Sequence, residues 1–343
     1  MRYRRTEISA AVHRQRGAAL VVAMLIFALC ASLVVAMQSE FTRFFQRSAN
    51  ILQQEQVSAY LRLGEELAKT VLMRDYDQDQ LANRYRDDLT EEWAQNAPPQ
   101  LLDNAELRGF LSDLQGRFNL NRLGERPEAQ PGERKFTSAQ AQFIRLLQTF
   151  QEPRVSDFEA IAITDAVGDW IDSDRSPFRD GAEDDYYAGL SPSYRAPHRP
   201  MASVSELRAV KGMTPQLFEA LRPFVTVWPQ EPAPLNIHTA ELPVLRSIGD
   251  LEDLAPLSLS DGEQLVEYRN SVGFVDMEDF YAQGPLADRP EVRTAMSGLL
   301  GERSDYFLVT VQVTVADRVQ RLYSVLDRKQ RRVNTIARVS GSL

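Results

Sequence analysis

The chain has 343 residues and a formal charge of −9, with 43% hydrophobic and 25% charged residues. That length allows about two globular domains beyond an anchor, and an acidic body is a poor match to nucleic acid or to anionic lipid. The single cysteine, Cys30, excludes an intrachain disulfide, and together with only His13, His198 and His238 it is not expected to make a zinc site or a Cys/His nucleophile pair.

Residues 1–17 are basic, with Arg2, Arg4, Arg5, Arg14 and Arg16 against one glutamate, and they end at Gly17. A 20-residue uncharged apolar run, Ala18 to Met37, follows directly. At about 1.5 Å per residue it reaches roughly 30 Å, the thickness of a bilayer's hydrocarbon core. A secretory signal peptide would place a small-residue cleavage site beyond the run, but Met37-Gln38-Ser39-Glu40-Phe41 carries no A-x-A pattern. The small residue precedes the run instead. This resembles a type IV prepilin leader, cut after the glycine by a membrane-embedded prepilin peptidase; taken alone, the leader fits an uncleaved signal anchor equally well. The arginines keep the leader cytoplasmic and send the bulk of the chain outward, into the periplasm of a Gram-negative cell. Removing the leader's net +4 leaves −13 on the remainder.

Beyond the apolar run, Phe41, Phe44, Phe45, Ile51, Leu52, Tyr60, Leu63, Leu67 and Val71 recur at mostly three-to-four-residue spacing, and no proline interrupts Ala18 to Tyr76. One continuous helix is expected, apolar all round at first and amphipathic afterwards. Residues 77–105 read as a connection with a short helix around Leu89 to Trp93. Within Leu107 to Leu123, the residues Leu114, Phe118 and Leu120 suggest strand alternation with a turn at Gly116. Helices are expected over Thr137–Phe150, Ser156–Trp170, Ser203–Lys211, Thr214–Phe224, Thr239–Ile248 and Ser260–Asn270, each with a capping residue and an apolar period. Tyr306 to Leu326 is the clearest strand signal, β-branched on both sides of Ala316-Asp317-Arg318, and reads as a hairpin.

The most chemically loaded stretch is residues 168–187, with seven carboxylates against Arg175 and Arg179. Oxygen-only ligands on a glycine-containing loop suit a hard cation, calcium outside the cytoplasm. Asp169, Asp172 and Asp174 would converge from a helix end, with Glu183 and Asp184 closing the site from beyond Gly181. The spacing does not fit an EF-hand. A solvated acidic loop, neutralised by Arg175, Arg179 and Arg195, explains the same residues, while a glycosidase-like carboxylate pair has no cleft to support it. No phosphate-binding glycine loop and no G-x-S-x-G elbow occurs.

Two segments resemble helix-hairpin-helix units: Ser205 to Phe218 around Lys211-Gly212, and Leu235-Asn236-Ile237-His238-Thr239-Ala240 continuing to Gln264–Arg269 and Gly273-Phe274. In DNA-binding versions the hairpin glycines bring backbone N–H groups to a phosphate. Glu206, Glu219, Glu231, Glu241, Asp250, Glu252 and Asp253 oppose that partner here, so the hairpins read as protein-packing modules. A membrane-anchored periplasmic DNA-binding protein is the alternative reading.

The Arg14-Gln15-Arg16-Gly17 junction, Asp113 to Asn121, Asp169-Trp170-Ile171-Asp172 with Gly181-Ala182-Glu183-Asp184 and Tyr186-Tyr187, Arg199 to Leu207, and Leu235 to Ala240 together resemble the general secretion pathway protein K family, the large minor pseudopilins of type II secretion. The resemblance runs in order along nearly the whole chain. It implies an α+β pseudopilin fold: a long N-terminal α-helix packed on a small antiparallel β-sheet, with a large inserted α-helical domain containing helix-hairpin-helix/SAM-like units. The corresponding division is a cleaved leader (1–17), a transmembrane segment (18–37), the periplasmic part of the helix (38–75), a first core part (76–125), the insertion (126–300), and the C-terminal strands and tail (301–343). It further implies cleavage between Gly17 and Ala18, methylation, and calcium, Ca2+, in the head, carried onto Asp169, Asp172, Asp174, Glu183 and Asp184. The implied role is non-enzymatic: capping the pseudopilus tip with other minor pseudopilins, with the prepilin peptidase, the inner-membrane secretion platform and secreted cargo as further partners. One departure stands out. Most pilins carry glutamate at mature position five, where this chain has Val22; a tip subunit has no neighbour above it whose amine would need that carboxylate, and an unpaired carboxylate in a bilayer is costly.

Overall fold

A computed structural model describes residues 15–127, 134–315 and 318–341; the leader as far as Arg14 lies outside the described residues. The chain forms two compact units, residues 1–60 and 61–343. Helix α1 (Gln15–Ala82) supplies all of the described first unit and continues into the second. It is long and apolar enough to cross a membrane, and Leu20, Leu25, Phe27 and Leu33 are exposed on it. The expected single helix is therefore present, and it runs six residues past Tyr76. It stops where Asn83 adopts φ 53°, with the Arg84 amide donating to Asp79 O at 2.9 Å and the Asn83 amide to Gln80 O at 3.4 Å. That is a left-handed cap, and asparagine tolerates it.

In the second unit, strands β1 (Gln100–Leu102) and β2 (Ala105–Asp113) form a hairpin, followed by the two-residue β3 (Phe118–Asn119). Then come α2 (Ser138–Gln148), α3 (Asp157–Ile171), α4 (Asp184–Ala188) and α5 (Pro215–Leu221). After the short strands β4 (Val225–Thr226) and β5 (Leu235–Asn236), the chain continues through α6 (Leu242–Arg246), α7 (Leu259–Ser271), α8 (Met277–Tyr281), α9 (Gly284–Ala287) and α10 (Pro290–Ala295). The chain ends with β6 (Leu300–Gly301), β7 (Tyr306–Val315), β8 (Arg318–Lys329) and β9 (Arg332–Ser340). Strands β1-β2-β7-β8-β9 make one antiparallel sheet in that order. Because β2 and β7 are direct neighbours, with Asp113 opposite Phe307, everything between them leaves the sheet and returns at the same end. Two parallel two-residue pairs, β3 with β4 and β5 with β6, tie that excursion down near its exits.

Several local expectations shift. Ser203–Lys211 folds as a 3-10 turn (Val204–Ala209), the Leu89–Trp93 helix is a 3-10 turn at Glu92–Ala94, and Thr239–Ile248 contracts to α6. In α6 the break is set by Pro243, which is tolerated only in a helix's first turn. Strands β1 and β9 lie outside these expectations: β1 is three residues long, and in β9 the apolar Val333, Ile336, Ala337 and Val339 do not keep a two-residue period.

Alternate residues of β7, including Phe307, Val309, Val311 and Val313, are buried in a strict two-residue pattern, and α1 lies against this face. A Cβ on Gly64 would stand 2.4 Å from Val311 Cγ1, so the helix tolerates glycine, at a propensity cost of about 1 kcal/mol, in exchange for close approach. Beside it, the buried Glu65 accepts hydrogen bonds from Ser324 Oγ (2.6 Å), Thr335 Oγ1 (2.6 Å) and, through both oxygens, Arg338 (2.7 and 2.6 Å). Burial pushes its carboxyl up, but the bonds from Arg338, Ser324, Thr335 and Lys69 outweigh this and hold it well below the usual carboxylate range.

A second buried tie is Arg328 on β8. It donates to Asp75 Oδ2 of α1 at 2.8 Å, to Asp87 Oδ1, and to Ser304 O at 2.7 Å, and it lies 4.8 Å over the Phe307 ring. Next to it, Asp113 at the end of β2 accepts from Ser304 Oγ (2.6 Å), Thr239 Oγ1, Asn236 Nδ2 (3.4 Å) and the Gln115 amide (2.7 Å). Burial raises the Asp113 carboxyl to about 6 despite those bonds. The helical excursion has its own core, in which Phe118 stacks on Phe143 at 5.3 Å among Ile144, Val167, Leu207 and Leu245.

Two measurements follow from these ties. Arg328→Met leaves Asp75 and Asp87 buried without a counter-charge and is expected to cost about 3–5 kcal/mol in urea denaturation, whereas Arg331→Ala, which breaks an exposed pair with Asp77, should cost under about 1 kcal/mol; equal costs would remove the distinction. Because the Glu65 carboxyl is depressed in the fold, its contribution is present above its unfolded pKa of 4.5 and is lost as the pH falls below that value. Thermal midpoints should therefore drop more steeply between pH 5 and pH 3 (about the carboxylate range) for the parent chain than for Glu65→Gln.

Candidate functional site

Ser156 caps α3 through a reciprocal box with Glu159, and the helix ends at Ile171 with Asp172 already extended. Its inner face carries Asp165 and Asp169, both buried. Asp169 accepts the Phe178 amide at 2.9 Å and the Ala182 amide at 2.7 Å, while Asp165 accepts the Asp180 amide at 3.2 Å and pairs with Arg134 at 2.6 Å. These carboxylates fold residues 172–183 back onto the helix that precedes them. A Cβ on Gly181 would lie 1.9 Å from Asp169 Oδ2, so only glycine permits that approach. Burial raises the Asp169 carboxyl to about 7, with Glu183 and Asp172 adding to the effect and the two amides opposing it. Lys211 closes the far side, donating to the carbonyls of Asp180 (3.1 Å) and Gly181 (2.9 Å).

Of the five expected ligands, Asp172 lies beside Glu183, and Asp169, Asp172 and Asp174 gather around Arg126 Nη2 at 3.7, 2.8 and 3.1 Å. Asp169 is taken by loop amides. Asp174 accepts the Ser176 amide at 2.7 Å and Arg126 Nη2 at 3.1 Å. Asp184 Oδ1 faces His198 Nε2 at 3.3 Å. Asp172 keeps one free oxygen: its Oδ2 accepts from Arg126 Nε (3.1 Å) and Nη2 (2.8 Å), and Oδ1 accepts from nothing. Glu183 is 6% exposed, and neither of its oxygens accepts a hydrogen bond. Burial raises its carboxyl.

The residue not foreseen is His198. Its Nδ1 is buried without a hydrogen-bond partner, 3.7 Å from Glu183 Oε2, and donor atoms of Asp172, Glu183 and His198 all lie within 4.8 Å of one another. Its backbone sits at φ 48°, in the left-handed region that non-glycine residues seldom adopt. In sequence it was only one of two scattered histidines outside the leader. Asp172 Oδ1, both Glu183 oxygens and His198 Nδ1 are buried without a hydrogen bond, and a bound divalent cation would satisfy atoms of this kind. A second carboxylate trio, Asp75, Asp79 and Asp87, already has its counter-charges in Arg328 and Arg84.

At the two hairpins, Gly212 and Gly273 take φ 84° and 82°. The neighbouring basic residues point inward: Lys211 donates to the loop carbonyls, and Arg269 Nη1 donates to Ala240 O.

Comparison with known proteins places this geometry. Residues 116–230 and 235–302 match two family models, each described as type II secretion system protein K. Type II secretion system protein K of Klebsiella pneumoniae is 31% identical over 330 residues, covering 96% of this chain and 97% of that protein. The Pseudomonas aeruginosa protein of the same name is 34% identical over 335 residues, covering 95% and 93%. Among solved structures, a chain in the GspK-GspI-GspJ complex of the enterotoxigenic Escherichia coli type 2 secretion system superposes with a TM-score of 0.73 at 26% identity, over 87% of this chain and all of that one. The pseudopilin fold, with its long helix, antiparallel sheet and helical excursion, is thus shared over most of its length, and the chain belongs to the type II secretion system protein K family.

Proposed function

We propose that the chain is a minor pseudopilin that caps the tip of the type II pseudopilus, acts without catalysing a reaction, and assembles with two smaller minor pseudopilins to prime the filament and help drive folded proteins across the outer membrane. The observation that carries this reading is the likeness, over 87% of this chain, to a chain of a GspK-GspI-GspJ complex. The excursion between adjacent strands β2 and β7 supports the terminal position, because a bulky head suits the end of a filament better than its packed body. The apolar stretch of α1 fits a single-pass anchor, with the head in the periplasm and the leader removed at Gly17. Val22 at mature position five suits a subunit with no neighbour above it. The inward-turned Lys211 and Arg269 favour protein packing at the hairpins over phosphate binding, and a divalent cation held by Asp172 and Glu183 would pin the acidic loop to α3.

Mass spectrometry of the membrane-extracted protein should find a mature chain beginning at Ala18, methylated at its amine; an intact leader would sink the pseudopilin reading. Detergent-purified mature chain mixed with the two smaller minor pseudopilins should elute as a complex containing one copy of each by light scattering. Self-association into filaments, or no complex at all, would argue for a different place in the machine.

A further inference from the structure

We propose that the cavity where the helical excursion joins the sheet receives, beside Arg117, a glutamate or aspartate side chain of a partner protein in the tip complex. The inference rests on the assembly proposed above and adds a point of contact on this chain.

Arg117 stands in the turn between β2 and β3. Its neighbours fix that turn: the Gln115 amide donates to Asp113 Oδ1 at 2.7 Å and the Arg117 amide to Leu114 O at 3.3 Å, and a Cβ on Gly116 would meet Thr239 Oγ1 at 2.5 Å. Phe118 then enters the helical core, leaving the Arg117 side chain half-buried at a cavity of about 130 Å³. Trp93, Leu111, Pro223, Phe224 and Val244 wall that cavity. Elsewhere the fold satisfies its inward-turned cations: Arg328 meets Asp75 and Asp87, and Arg145 donates to the carbonyls of Ser247, Asp250 and Asp253. Among the described residues Arg117 has one side-chain hydrogen bond, from Nη2 to Ser112 Oγ at 3.3 Å, and no ion pair. The Asp113 oxygens are already engaged by Ser304, Thr239, Asn236 and the Gln115 amide. Burial lowers the Arg117 guanidinium from its usual value, and the charges of Asp113 and Glu241 offset this only in part. A desolvated cation without a counter-charge is costly. A carboxylate entering the cavity would relieve it through charge-assisted bonds.

The surroundings select the anion. The apolar walls suit a short methylene stem, whereas Asp113 and Glu241 repel a doubly charged phosphate. The cavity is smaller than the roughly 300–1,000 Å³ of small-molecule sites and fits a single side chain. Glu241, exposed at the same cavity, is the rival occupant, since it would close the pocket from within by swinging inward.

The test uses the full chain purified in detergent. Binding to the two smaller minor pseudopilins should weaken about 10- to 100-fold in Arg117→Gln and recover only in part in Arg117→Lys, which keeps the charge but not the planar fork. Free Arg117→Gln should keep the parent's thermal midpoint, because losing this cation leaves no buried charge unpaired. In calorimetry the parent alone should bind butyrate at about millimolar Kd and phosphate not at all, while Arg117→Gln should bind neither. A midpoint lowered as far as in Arg328→Met makes Arg117 a structural residue and overturns the site. Butyrate bound by no chain, or by Glu241→Gln alone, overturns it as well, the second result assigning the pocket to Glu241. Butyrate bound through Arg117, with a complex indifferent to Arg117→Gln, assigns the pocket to a free carboxylate and overturns the partner contact while the tip assembly stands. No complex from the parent chain overturns both.

Discussion

The second unit depends on one buried guanidinium. Arg328 reaches Asp75 on α1, Asp87 in the segment after it, and the Ser304 carbonyl where the chain re-enters the sheet. Burying three charges is expensive, and the attraction among them compensates only when every donor and acceptor is placed. The tie therefore acts less as a source of net stability than as a constraint on alignment: helix, connection, re-entry point and strand β8 must coincide for its charges to be satisfied together. Glu65 imposes a parallel condition about three turns nearer the start of the helix, between α1, β8 and β9.

The same logic explains how so large an excursion can hang from a small sheet. Its exit at Asp113-Leu114-Gln115 and its re-entry at Arg303-Ser304-Asp305 are bridged by side chains. Gln115 donates to Pro234 O and Arg303 O and accepts the Asp305 amide, while Asn236 donates to Asp87 O and Ser304 Oγ. Two adjacent strands and a polar joint fix the base of the helical region, so its surfaces are presented in a defined orientation to the sheet that carries them. The acidic loop differs in kind. Asp165 and Asp169 are satisfied by backbone amides, but Asp172, Glu183 and His198 retain buried atoms that the protein does not satisfy.

Legibility in the sequence followed the strength of the local pattern. The helix from Ala18 onward carries an unbroken apolar run and then a helical period without proline, and β7 alternates Phe307, Val309, Val311 and Val313 against Thr310 and Gln312; both are visible because the period is local. Strand β9 is not, since what makes it a strand is pairing with β8 and the grip of Thr335 and Arg338 on Glu65, a residue 270 positions earlier in the case of Thr335. The site behaves likewise. Seven carboxylates in one stretch announce an acidic loop, but whether a given carboxylate is free depends on which amides and arginines the fold brings to it. Asp169, the most buried of the five expected ligands, accepts the amides of Phe178 and Ala182, contacts no local pattern announces.

By itself, then, the sequence determined the properties that depend on neighbours in the chain. These are a basic stretch ending at Gly17, an apolar helix of bilayer length, a β-branched hairpin near the end, and an acidic loop bearing a glycine. The tertiary structure alone decided which polar groups meet: that Arg328 joins Asp75 to Asp87, that Asp113 seals the base of the helical region, and that His198 brings its Nδ1 within 3.7 Å of Glu183. The division has a simple physical cause. Hydrophobic period and backbone propensity act over a few residues, whereas the cost of a buried charge is set by whatever partner lies within hydrogen-bonding reach in space, and in this chain those partners lie tens to hundreds of residues away.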